Sequence, residues 1–90
     1  MSRTVLSSSL SIQIRLFSVA RDLAGFDVGT LRLRTGACAG DVMTELGKIH
    51  PQLIKWTDSI RLAVNLEYVT NDYLLHDGDE VAVIPPVSGG

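Results

Sequence analysis

The chain has 90 residues, a formal net charge of −2, 46% hydrophobic residues and 20% charged ones. That is enough for one packed domain and too little for two cores. The sequence lacks both the basic stripe that a nucleic-acid backbone demands and the roughly 18–20-residue apolar run that crosses a bilayer, and its one cysteine, Cys38, excludes an internal disulfide and fits a reducing, cytosolic compartment.

Residues 1–9 are expected to be a disordered N-terminal extension. Up to Arg21 the chain holds three arginines, six serines and no acid, the composition of a transit peptide. The preferred alternative is a strand, because "LSIQIRLF" alternates: Leu10, Ile12, Ile14 and Leu16 face one way, Ser11, Gln13 and Arg15 the other. Cleavage would remove that strand.

"SVARDLA" (18–24) reads as a short helical turn ended by Gly25. "VGTLRLRT" then alternates again, with Leu31 and Leu33 inward and Thr30, Arg32 and Arg34 outward. The two strands form an antiparallel pair across a wide connection. Next, "GACAGDVMTELGKIHP" places Val42, Met43, Leu46 and Ile49 on one helical stripe. Asp41 suits the positive start of that helix, Lys48 and His50 suit its negative end, and Pro51 stops it.

After a crossover through "QLIKWTDS", Ile60, Leu62 and Val64 alternate against Arg61, Ala63 and Asn65. A short piece, Glu67 to Val69, folds back through Asn65–Leu66. "HDGDE" contains the Asp-Gly turn pair. It leads into "VAVIPP", whose near-continuous apolar run marks a central strand buried on both faces. The order is strand, strand, helix, strand, short strand, strand: an α+β design with a mixed sheet of about five strands packed on one main helix.

No side-chain constellation for catalysis emerges. His50 lies at a helix end and His76 beside a turn, and both read as surface residues. Cys38 reads as a half-buried thiol. Asp77, Asp79 and Glu80 read as turn chemistry, leaving no metal site. Trp56 fills the core or anchors an interface.

What remains is the ending, "VIPPVSGG". Pro85 and Pro86 lack backbone donors and fix φ, so they stop strand pairing and project the chain as a stiff spacer. Val87 and Ser88 add contact without bulk. Gly89 and Gly90 let a narrow channel bring a terminal carboxylate to a reactive centre. Residues 86–90 reach up to roughly 16–18 Å when extended. The domain proper is then 10–84 and the working tail 85–90.

"GDEVAVIPPVSGG", "AVNLEYV" and "LFSVARDLAG" resemble the small subunits of molybdopterin synthase, a branch of the ubiquitin-like β-grasp sulfur carriers. The resemblance covers about residues 10–90 and is weakest over 35–60. It implies a β-grasp fold and a chain that is no enzyme by itself. An ATP-dependent activating enzyme would adenylate the Gly90 carboxylate, and a persulfide would convert it to a thiocarboxylate. The tail, Pro85 to Gly90, would thread into a large subunit, which supplies the catalytic groups, in a heterotetramer of two small and two large subunits. There the sulfur would pass to a cyclic pyranopterin precursor. No cofactor is permanently bound in this scheme.

The alternatives are a carrier of the same fold for thiamine synthesis, tRNA thiolation or protein conjugation, and a plain interaction module. Partner docking calls for exposed apolar residues beside the tail, and Phe17, Val87, Leu62 and Val64 are the candidates; each serves equally well as core. Arg32 and Arg34 either pair with acidic partner groups or solvate the sheet.

Overall fold

Each stretch of alternating sequence becomes a strand, and the faces it buries set the architecture. The computed structural model describes residues 9–86. The elements are β1 (Ser9–Leu16), α1 (Ser18–Ala24), β2 (Val28–Arg34), α2 (Ala39–Ile49), a 3-10 segment (Pro51–Ser59), β3 (Arg61–Val64), β4 (Glu67–Val69) and β5 (Glu80–Ile84). They form one five-stranded sheet in the order β2-β1-β5-β3-β4. β1 and β5 run parallel, and the other pairs are antiparallel. The β1–α2–β5 topology and mixed sheet give the β-grasp arrangement.

β1 buries Leu10, Ile12, Ile14 and Leu16, as its alternation requires. These meet Val81 and Val83 of β5 and Val42, Met43 and Leu46 of α2 in a single core. α2 begins with a capping box in which the Cys38 amide donates to Asp41 Oδ2 at 2.8 Å and the Cys38 side chain accepts from the Asp41 amide. It ends at His50, whose φ of −127° and ψ of 80° leave the helical region ahead of Pro51. Gly25 closes α1 at φ 87°, a left-handed conformation that a side chain would strain.

Four expectations shift. β1 starts one residue earlier, at Ser9. Ile49 lies on the sequence stripe yet is 60% exposed; it is the last residue of α2, one step before the chain leaves the helix at His50. Residues 51–59, read as an irregular crossover, wind into 3-10 turns anchored by fully buried Leu53. β5 is central, as its apolar run predicts, but only Val81 and Val83 are fully buried; Glu80, Ala82 and Ile84 face the uncovered side.

The β3–β4 reversal places Asn65 (φ 50°) and Leu66 (φ 74°) both in left-handed backbone, the twist a two-residue hairpin needs. Asn65 Nδ2 donates to Asp79 Oδ1 at 3.0 Å, while the Glu80 amide donates to Asn65 Oδ1 at 3.1 Å. This amide clamp ties the hairpin to the start of β5.

Candidate functional site

The root of the tail is where the first and last strands end side by side. Leu16 pairs with Val83 in the parallel ladder, and the Phe17 amide donates to the Val83 carbonyl at 3.3 Å. Two residues later Pro85 and Pro86 remove their donors, so no ladder can continue. Pro85 is buried and Pro86 exposed, which turns the chain outward between them. Val87, Ser88, Gly89 and Gly90 lie outside the described residues.

Phe17, Ser18, Ile84, Pro85 and Pro86 line an apolar cleft of about 380 Å³ at this exit. Ser18 sits at φ 55°, a costly backbone for a residue with a Cβ, and this sharp turn separates β1 from α1. Phe17, at the turn, stays 42% exposed.

Strand register extends the site across the uncovered sheet face. Arg61 pairs with Ile84, Ala63 with both Ala82 and Tyr68, and Arg15 with Ala82 and Val28. Directly paired residues point to one face, so these side chains share the open side with Phe17. Tyr68 is 62% exposed, and the Arg61 guanidinium stands 4.7 Å from its ring centroid. Arg15 lies 6.0 Å from the Phe17 ring and reaches Glu80 at 3.7 Å. The result is an apolar strip from exposed Phe17 through half-buried Ile84 to exposed Tyr68, rimmed by guanidinium groups.

Two interface candidates fail this geometry. Leu62 and Val64 are each 3% exposed and pair with Val83 and Val81, so they point under the helix and belong to the core. Ala63, read as outward, does point to the open face, yet it is 7% exposed because it is small and flanked by register neighbours. Ile84, Tyr68 and Arg61 were not singled out from the sequence. The available signal was the alternation itself: once Leu62 and Val64 face inward, Arg61 and the residue paired to Ala63 must face outward.

Asp77, Asp79 and His50, weighed above as candidate functional groups, are engaged in structural contacts. Asp77 Oδ1 accepts from the Ser11 amide at 2.7 Å and Asp79 Oδ2 from the His76 amide at 2.8 Å, so both carboxylates build the turn. His50 packs against Phe26 with ring centroids 5.7 Å apart. Among the described residues no group of three or more His, Cys, Asp or Glu side chains is placed to hold a metal, and no helix is long and apolar enough to cross a membrane. Trp56 is half-buried, and its indole N–H finds no acceptor among the described residues.

A site made of a strand end, two prolines and an apolar sheet face points to a domain that presents its tail. The ThiS family matches residues 14–90, which takes in both the sheet and the tail. The chain belongs to the ThiS family. It is 37% identical over 84 residues to the molybdopterin synthase sulfur carrier subunit of Arabidopsis thaliana, covering 93% of this chain and 88% of that one. The protein of the same name from Chlamydomonas reinhardtii is 37% identical over 83 residues, covering 90% of this chain and all of that one. Among solved structures, SAMP1 from Haloferax volcanii superposes with a TM-score of 0.80 at 30% identity, covering 89% of this chain and 99% of that one.

Proposed function

We propose that the protein is the sulfur-carrying subunit of molybdopterin synthase, acting in molybdenum cofactor biosynthesis through its C-terminal carboxylate. The observation that carries this is the exposed apolar strip at the exit of a Pro-Pro-Val-Ser-Gly-Gly tail, in a chain whose family match runs through Gly90. The two relatives above carry that name.

The chemistry follows from what a carboxylate lacks. Gly90 is a poor electrophile until an ATP-dependent activating enzyme forms the acyl-adenylate, releasing pyrophosphate. A persulfide sulfur attacks that carbonyl and AMP departs, leaving an acyl disulfide; a second thiol then attacks the donor's sulfur, so that Gly90 keeps a thiocarboxylate and the donor leaves as a disulfide. The tail then enters the large subunit, which supplies acid and base; its sulfur attacks the cyclic pyranopterin precursor to form a thioester-linked adduct, and water cleaves that thioester, leaving the sulfur on the pterin and returning the Gly90 carboxylate. Two small and two large subunits make the working assembly, and the cytosol houses it.

The fold's part is presentation. Pro85 and Pro86 stiffen the first step away from the sheet, and Gly89 and Gly90 need the least channel width. Phe17, Ile84 and Tyr68 seat the domain on its partner beside the channel mouth.

The test is mass spectrometry of the protein co-expressed with an activating enzyme and a sulfur source. A shift corresponding to one oxygen replaced by sulfur, mapped to Gly90, is expected. No shift, or a shift elsewhere, overturns the proposal.

A further inference from the structure

We infer that Arg61, stacked on Tyr68, is the specificity anchor of this docking face and receives a carboxylate from the partner's rim. The inference rests on the sulfur-carrier reading and adds a chemical requirement that the apolar strip alone does not impose.

The first observation is an imbalance of partners. Arg15 has its carboxylate within the chain, Glu80 at 3.7 Å. Arg61 has none among the described residues; its contact is the Tyr68 ring, 4.7 Å from centroid to guanidinium carbon. A guanidinium held over a ring keeps its N–H donors for other partners, and Arg61 is exposed. That edge is a planar fork of donors, and a carboxylate is the protein acceptor that matches it with two parallel hydrogen bonds.

The second is the charge of the face. Open-face strand positions carry Arg15, Arg32, Arg34 and Arg61 against Glu80, although the whole chain is net −2. Most acidic side chains lie outside the strands, for example Asp22 in α1 and Asp58 in the 3-10 segment. A partner face seated here meets positive potential, and one bearing lysine or arginine at this rim is repelled.

The third is position. Arg61 pairs with Ile84, the residue immediately before Pro85. A carboxylate bound to Arg61 thus fixes the domain beside the tail exit, the point from which rotation displaces the tail's root least. Stacking also holds the guanidinium before docking, which lowers the ordering cost of the contact. Once Tyr68 and Ile84 are covered, Arg61 is shielded from water. A partner without the carboxylate then leaves a buried, unpaired charge. The occupant is accordingly the large synthase subunit, with an apolar centre opposite Phe17, Ile84 and Tyr68 and an Asp or Glu at the rim opposite Arg61.

The experiment titrates the full-length protein with purified large subunit at low and at physiological salt. Parent, Arg61→Gln, Arg61→Lys and a double Arg32→Gln/Arg34→Gln variant are compared, with thermal midpoints as the control for folding. Loss of one charge-assisted pair predicts that Arg61→Gln raises Kd by roughly 10- to 100-fold and flattens its salt dependence. Arg61→Lys keeps the charge but not the planar fork, so it recovers only part of the loss. The double variant removes more charge yet shifts Kd less than about threefold, as a distant surface change does.

An Arg61→Gln Kd within about threefold of the parent overturns the inference. So does an equal loss in the double variant, which would mean diffuse attraction with no anchor. Thiocarboxylate formation on the same parent sample separates the two claims. A parent that carries sulfur and binds, with Arg61→Gln unaffected, sinks only the anchor. A parent that neither carries sulfur nor binds the large subunit sinks the carrier reading and the anchor together.

Discussion

Truncating Phe17 to alanine should separate docking from folding. The residue is 42% exposed, at the mouth of the cleft shared with Pro85 and Pro86. A phenylalanine presents on the order of 200 Å² when free, so about 80 Å² remains for a partner to cover. At about 25 cal/mol per Å² that area is worth about 2 kcal/mol, or about 30-fold in Kd. The covered remainder packs within the chain, so the variant also loses some fold stability. Binding is therefore measured by calorimetry well below the melting transition, on protein checked by circular dichroism. The heat-capacity change of binding should become less negative, the mark of lost apolar burial. A Kd within about threefold of the parent, alongside a lowered thermal midpoint, would show that Phe17 only closes the end of β1 and touches no partner.

Asp41→Ala removes the acceptor for the Cys38 amide at the start of α2 and should cost about 1 kcal/mol, read as a fall of roughly 4–8 °C in the thermal midpoint. Leu66 is 89% exposed at φ 74°, so Leu66→Gly sheds backbone strain and no packing; chemical denaturation should give a gain of about 0.5–1 kcal/mol. One residue appended after Gly90 should abolish sulfur transfer with the thermal midpoint unchanged, since the proposed chemistry needs a free carboxylate. Gly89→Val should slow transfer to the large subunit while leaving adduct formation measurable by mass; unchanged transfer would mean that the channel is wide.

The sheet was legible because strand faces obey a period of two, and Leu10 through Leu16 kept that period without exception. The helix was legible from Val42, Met43 and Leu46, but periodicity carries no information about where the core ends, and Ile49, the last residue of α2, is exposed. The 3-10 segment had no signature because one buried side chain, Leu53, suffices to hold it. At the site, the prolines told where pairing ends, whereas the docking strip did not show itself. Phe17 follows β1, Ile84 ends β5 and Tyr68 lies in β4, and only the β1–β5–β3–β4 register brings them to one face. Leu62 and Val64 stayed open between interface and core for the complementary reason: being apolar and near the tail does not say which side of β3 faces solvent.

The parallel pairing of β1 with β5 also orders events during synthesis. β5 is the last strand made and the third of five in space, inserted between β1 and β3. Its contacts with β1 join residues more than sixty positions apart, a high contact order that defers completion of the sheet until nearly the whole chain is available. The cleft at the tail's root does not exist before that insertion, because Phe17 and Ile84 come from the two ends of the chain. A nascent or unfolded copy can therefore expose the tail but not the surface that seats it. On the proposed reading, a chain whose sheet is unfinished has nothing with which to seat the large subunit.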